Sequence, residues 1–128
     1  MIRRDAGLKD DPVQLSFVGG MRYGMTGLAN WTWPMVRLNL LEEGICLCPS
    51  ARWLKPLVPI WEARYGEMTE VRSVGTTRMT CGVRFTTSTG DWVIFGTLDR
   101  PRVLAALQQR GLLVELEPVA FRYFRPDR

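Results

Sequence analysis

The chain has 128 residues, the length of one domain, and 46% of them are hydrophobic, which excludes a disordered protein. The formal net charge is +4, but the basic residues are scattered singly along the chain, so a nucleic-acid partner is not expected. Histidine is absent, which removes the usual general base near neutral pH, and we therefore expect a protein that binds without catalysing a reaction.

The N-terminal segment, residues 1–12, is polar and is predicted to be an extension that precedes the folded core. It carries charges where a signal peptide needs an apolar stretch, and no apolar run in the sequence is long enough to span a membrane. A cytoplasmic protein is therefore expected. The predicted core covers about residues 13–113, with residues 114–128 as a second extension, so the whole chain, 1–128, forms a single domain.

The segment NWTWPMVRLNLLEEGICLC, residues 30–48, indicates a β-hairpin that follows a first strand beginning at Val13. Its turn is Glu-Glu-Gly at residues 42–44, where glycine accepts the positive φ that a tight turn needs. Alternate side chains of a strand point to opposite faces, so one face of the first arm is apolar and faces the core. The core-facing residues of this arm are Val36, Leu38 and Leu40.

Three cysteines, Cys46, Cys48 and Cys81, are an odd number in a chain without an export signal, so disulfides are not expected. Cys46 and Cys48 alternate along one strand and therefore share a face. A metal site would need a fourth ligand and histidine is absent, so neither a metal nor a cofactor is expected. The thiols are instead predicted to be small buried hydrophobic groups, with Cys81 in the core.

More strand-like segments follow the hairpin. Two prolines divide residues 52–65 into a short strand and a longer one, and further strands are predicted at 71–74, 78–87 and 92–98. The alternation is clearest in RMTCGVRFTT, residues 78–87. The C-terminal segment after residue 111 also has strand-like character but is interrupted by Pro118, and in all about six or seven antiparallel strands are predicted.

A helix is predicted over about residues 100–110, because the apolar spacing changes from two residues to that of a helix. Pro101 suits the first helical position, since its missing N–H has no partner there. Asp99 or Arg100 would be the cap, and Arg100 is favoured because the residue before a proline is disfavoured in the helical region. Gly111 is placed to end the helix in the left-handed conformation.

Consecutive strands followed by one C-terminal helix resemble the pleckstrin-homology-like and GRAM-like superfamily. The resemblance runs from Leu15 to Leu113 and includes WPMVRLNLLEEGICL, PIWEARYGEMTEVRSV, GVRFTT, DWVIF and the helix PRVLAALQQRG. No Trp lies on the helix, unlike the usual pleckstrin-homology pattern, and this favours the small bacterial GRAM-like variety. The resemblance implies a mainly β, antiparallel barrel or sandwich that serves as a binding or assembly module.

The hairpin also predicts a partner-binding site, because residues of the parity opposite to the core-facing ones include large apolar side chains. Trp31, Trp33, Met35 and Arg37 are predicted to form this site, most simply as a twofold homodimer interface. The alternative is that the protein covers these residues itself, with its C-terminal helix or with the aromatic segment AFRYF at residues 120–124.

A membrane surface is the alternative partner. In folds of this resemblance the loop between the first two strands often meets lipid, and here that region contains Arg22 and Tyr23. Arg52 and Lys55 would add positive charge if they lie near the same rim. These four residues are therefore the alternative, anionic-lipid-binding site.

Overall fold

One eight-stranded sheet and one α-helix make up the protein, as seen in a computed structural model that describes residues 4–23, 29–75 and 81–115. Two short 3-10 turns interrupt the strands at Arg52–Leu54 and Tyr65–Glu67. In chain order the elements are β1 (Val13–Tyr23), β2 (Ala29–Leu41), β3 (Gly44–Pro49), β4 (Trp61–Arg64), β5 (Met68–Val74), β6 (Gly82–Thr87), β7 (Trp92–Gly96), α1 (Arg100–Gln109) and β8 (Val114–Glu115). Within the described ranges, no helix is long and apolar enough to cross a membrane.

The strand order is β4-β3-β2-β1-β7-β6-β5-β8, so two meanders meet where β1 pairs with β7. Every pairing is antiparallel except that of β5 with β8. The predicted mainly β, antiparallel class with one late helix is confirmed. The predicted count of six or seven strands is wrong because β8 adds an eighth, and the sheet is open instead of closing into a barrel.

The core lies on one side of the sheet and is closed by α1. The alternation predicted for the hairpin is confirmed, since Val36, Leu38 and Leu40 are fully buried. A buried side chain of this size contributes roughly 1.5–3 kcal/mol to folding. The other large core residues include Ile45, Leu47, Trp61, Phe85, Phe95 and Leu107.

The cysteines lie outside this core, which corrects the prediction that they are buried. Cys46 and Cys48 alternate with the fully buried Ile45 and Leu47, so they lie on the opposite side of the sheet, which we call the outer face. All three thiols are free and half-buried. Cys81 precedes the first residue of β6 and therefore escapes the alternation that places the interior residues of that strand in the core.

Helix α1 packs on the core through Val103, Ala106 and Leu107. Asp99 occupies the cap position, and the prediction of Arg100 as the cap is wrong by one residue. The predicted end of the helix is confirmed, because Gly111 adopts a φ of 84° that most other residues avoid.

Arg4 joins the N-terminal segment to β4, the strand at one edge of the sheet. Its backbone N–H donates to the carbonyl oxygen of Ile60, just before β4, at 3.0 Å, and its carbonyl oxygen accepts from the N–H of Glu62 in β4 at 2.8 Å. Its guanidinium lies 5.6 Å from the centre of the Trp61 ring and donates to Glu67 Oε2 at 3.0 Å and to Asp91 Oδ2 at 3.4 Å. One side chain therefore connects β4 to the starts of β5 and β7.

We predict that Arg4→Met lowers the free energy of unfolding by about 1–2 kcal/mol, because both carboxylate partners are partly exposed. The hydrogen bond from Arg4 lowers the pKa of Glu67 from its ordinary value of 4.5. The stability that the Arg4–Glu67 pair contributes is present above pH 4.5, the ordinary pKa of Glu67. It is lost as the pH falls through the lower pKa that Glu67 has in the folded protein. The free energy of unfolding of Arg4→Met, measured with urea, should therefore fall less on acidification than that of the wild type. The exposed Arg102→Met is the control, and an equal effect there would contradict this role of Arg4.

The close approach of β6 and β7 gives a second prediction about folding. Gly82 lies opposite Gly96, and a β-carbon at Gly82 would come 2.6 Å from the carbonyl oxygen of Phe95. Gly82→Ala should cost about 1–3 kcal/mol in thermal unfolding because the strands must separate. Gly66→Ala is the matched control, since a β-carbon there has nothing within 4 Å. Equal melting temperatures for the two variants would show that this strand contact is dispensable.

Candidate binding surface

A large bulge separates two parts of β2. Met21 of β1 lies opposite Trp31, but Gly19 lies opposite Val36. Only Gly20 of β1 therefore faces the four residues 32–35 of β2, which leave the ladder and loop outward. A bulge of this kind changes which side chains of a strand face the core.

Trp31 is turned inward by this change of parity, and its predicted outward position is wrong. It pairs with the fully buried Met21 and packs at the margin of the core. Its indole Nε1 donates to the carbonyl oxygen of Leu57 at 2.7 Å. Met35 is also half-buried against the core, whereas Trp33 is 59% exposed.

Arg37 lies beyond the bulge on the outer face, opposite Cys48, and donates to Ser16 Oγ at 3.0 Å. The four residues predicted as a partner site therefore do not form one outward stripe. The C-terminal helix uses its apolar residues in the core. The aromatic segment at residues 120–124, predicted as an alternative cover, lies outside the described residues.

Residues 50–58 lie beside the bulge. Ser50 donates its backbone N–H to the carbonyl oxygen of Met35 at 3.0 Å and its hydroxyl to that of Pro34. The prediction of a short strand here is wrong, because the backbone forms a 3-10 turn followed by a further turn. Leu54 and Val58 are buried and anchor the segment to the core.

Two large apolar side chains of this segment are left in solvent: Trp53 is 73% exposed and Leu57 is 58% exposed. The sequence reasoning missed both, although the apolar pairs on either side of Lys55 and Pro56 are a signal for a turn with one buried and one exposed side. The hydrogen bonds of Ser50 and Trp31 join this segment to residues 31–35. We give the name tryptophan end of the sheet to the exposed residues of the two segments, which are Trp33, Arg52, Trp53, Lys55 and Leu57.

The cations predicted as a lipid-binding site are brought partly together here. Arg52 and Lys55 are exposed and belong to the tryptophan end. Arg22 is half-buried on β1, opposite Asn30 and two residues after Gly20, which faces the bulge. The backbone of Tyr23 ends β1, but its side chain and residues 24–28 lie outside the described part of the chain.

The charge distribution along the hairpin is uneven. Residues 13–41 and 44–61 contain no Asp or Glu, and their charged residues are Arg22, Arg37, Arg52 and Lys55. The intervening turn at the far end of the hairpin carries Glu42 and Glu43, and the nearby Asp11 accepts a hydrogen bond from the N–H of Glu43 at 2.8 Å. The tryptophan end is therefore the positive end of the hairpin, and the turn is the negative end.

In the ranges that the structure covers, no three His, Cys, Asp or Glu side chains are grouped so that they could hold a metal ion. The arrangement at the tryptophan end is instead one of exposed indoles and cations. Such a surface can hold an apolar or anionic partner, because the indole rings add contact area and the cations add attraction.

The chain matches no family model, and no curated protein matches it. Among solved structures it is similar to the C-terminal domain of an unknown protein from Leishmania infantum. That domain is 14% identical, with a TM-score of 0.59, and the match covers 80% of this chain and 86% of the other. At this identity the likeness shows a shared fold, that of a mainly β protein with one helix.

We predict that the tryptophans differ sharply in their contribution to folding. Trp33→Ser and Trp53→Ser should change the free energy of unfolding by less than about 0.5 kcal/mol, since both indoles are exposed. Trp61→Ala should cost about 3–5 kcal/mol, because that ring is fully buried. Denaturant unfolding followed by circular dichroism measures all three, and a large loss for Trp33→Ser or Trp53→Ser would assign these residues to the core.

Proposed function

We propose that this protein is a non-enzymatic binding module that attaches reversibly to an anionic membrane surface through the tryptophan end. The single observation that carries the proposal is the pair of exposed indoles, Trp33 and Trp53, beside the exposed cations Arg52 and Lys55. Indole rings are amphipathic and favour the headgroup region of a bilayer.

The expected strength of attachment follows from these residues. A basic residue near an anionic bilayer contributes about 1 kcal/mol, so Arg52 and Lys55 together supply about 2 kcal/mol. Insertion of exposed apolar surface adds to this, because it removes Trp and Leu side chains from water. Two cations alone hold a protein weakly, so the indoles provide the larger part and binding is peripheral.

We further propose that the protein belongs to the pleckstrin-homology-like and GRAM-like superfamily. Support comes from the chain order, in which the meander β1–β4 is followed by the meander β5–β7 and then by α1 against the core. The open sheet departs from the barrel that the resemblance implies. The proposed role of binding a partner agrees with the functions of the binding modules in that superfamily.

We predict that the protein co-sediments with vesicles containing phosphatidylserine at low salt and binds more weakly to neutral phosphatidylcholine vesicles. Binding should weaken as salt is raised, because the charges at the surface are screened. Arg52→Gln combined with Lys55→Gln should weaken binding roughly 30-fold, which corresponds to about 2 kcal/mol. Trp33→Ser combined with Trp53→Ser should weaken it at least as much.

Lys9→Gln is the matched control for charge, because Lys9 is exposed and lies next to Leu8, whose side chain reaches the hairpin turn at Gly44. Absence of binding to anionic vesicles at low salt would contradict the proposal. Light scattering tests the other predicted partner, a second copy of this chain. A dimer that Trp33→Ser dissociates, without any vesicle binding, would assign the tryptophan end to self-association.

A further inference from the structure

Two thiols share the outer face of β3, close in the chain to residues 50–58. Cys46 and Cys48 both belong to β3 and point away from the core, because the residues between and before them, Leu47 and Ile45, are fully buried. Both are half-buried, and neither is in a disulfide. A small reagent can therefore reach two thiols that share one face of one strand.

The surroundings of Cys48 favour its thiolate. Arg37 lies directly opposite on β2. Asn39 Nδ2 donates a hydrogen bond to Cys48 Sγ at 3.5 Å. The carbonyl oxygen of Arg37, 3.8 Å from the sulfur, accepts from the protonated thiol and acts in the opposite direction, so Arg37 and Asn39 are the groups that favour the thiolate. A cation and an amide donor beside a sulfur stabilise its negative charge.

The surroundings of Cys46 favour its neutral thiol. Glu62 of β4 lies directly opposite and is only 7% exposed, with its Oε1 accepting the N–H of Ala6 at 2.9 Å. Asp5 adds a second negative charge on this side. An adjacent negative charge in a partly dry environment disfavours a thiolate.

The two thiols affect each other's pKa. Their mutual hydrogen bond raises the pKa of Cys46 and lowers the pKa of Cys48. Burial raises both pKa values, Arg37 lowers that of Cys48, and Glu62 raises both. The charges around the pair therefore favour Cys48 over Cys46 as the thiolate.

We propose that Cys48 is a nucleophilic modification site that reacts with soft electrophiles, in particular small-molecule disulfides, and that Cys46 is a positioning residue for it. The Cys48 thiolate attacks one sulfur of the disulfide and forms a new S–S bond. The original S–S bond breaks, and the departing thiolate leaves with the electron pair and takes a proton from water. The small disulfide is the oxidant, and the product is a mixed disulfide at Cys48.

Neutral iodoacetamide is the probe for this site, because each thiolate displaces iodide to give a stable adduct that peptide fragmentation assigns. At pH 7 we predict that Cys48 is alkylated about tenfold faster than Cys46 or Cys81 in the native protein. Arg37→Gln should slow Cys48 severalfold and move the midpoint of its pH–rate profile upward. Arg37→Lys should retain most of the rate, and Arg102→Gln is the control.

Two variants at Cys46 test the positioning role. Cys46→Ser keeps a hydrogen-bond donor beside Cys48 and should leave the midpoint nearly unchanged, whereas Cys46→Ala removes the donor and should raise it. Circular dichroism confirms that each variant is folded. Equal rates for Cys46 and Cys48 in the folded wild type would overturn the proposal. So would a Cys48 profile that the folded Arg37→Gln variant does not change.

Discussion

Strand β1 hydrogen-bonds to β2 on one side and to β7 on the other, so the two halves of the sheet meet along it. This double pairing needs close approach at Gly19 and Gly20, where a β-carbon would collide with the backbone of Gly96 or of Trp31. The same register leaves residues 32–35 without partners on β1. The pairing of β1 with β2 that supports the core therefore also produces the exposed loop that contains Trp33. Folding and the proposed binding both depend on this ladder.

Local patterns in the sequence were enough to predict the parts of the fold that local chemistry determines. The alternation at residues 36–40 and the helix that Gly111 ends were both correct. The strand-like character predicted after residue 111 is realised at Val114–Glu115, but the parallel pairing of this strand with β5 could not be predicted because it is non-local. The inward turn of Trp31 was missed because a bulge is decided by the partner strand, which the hairpin's own sequence does not contain.

The contacts of the N-terminal segment and of residues 50–58 could also not be predicted from local sequence patterns. Arg4 reaches Glu67 and Asp91, which lie more than 60 positions away in the chain. Trp53 is exposed because Leu54, its neighbour in the 3-10 turn, takes the buried position. The cations of the proposed site were identified from the sequence, but their meeting with two exposed indoles is a property of the folded chain.

If the tryptophan end contacts a membrane as proposed, the hairpin holds its negatively charged turn away from the lipid. The arm from Met35 to Glu42 spans roughly 20 Å at the rise of an extended strand. This is about twice the Debye length at physiological salt, so the turn carboxylates of Glu42 and Glu43 are largely screened from lipid that contacts the tryptophan end. Exposed indoles gain nothing for folding while they stay in water, whereas contact with a bilayer removes them from it.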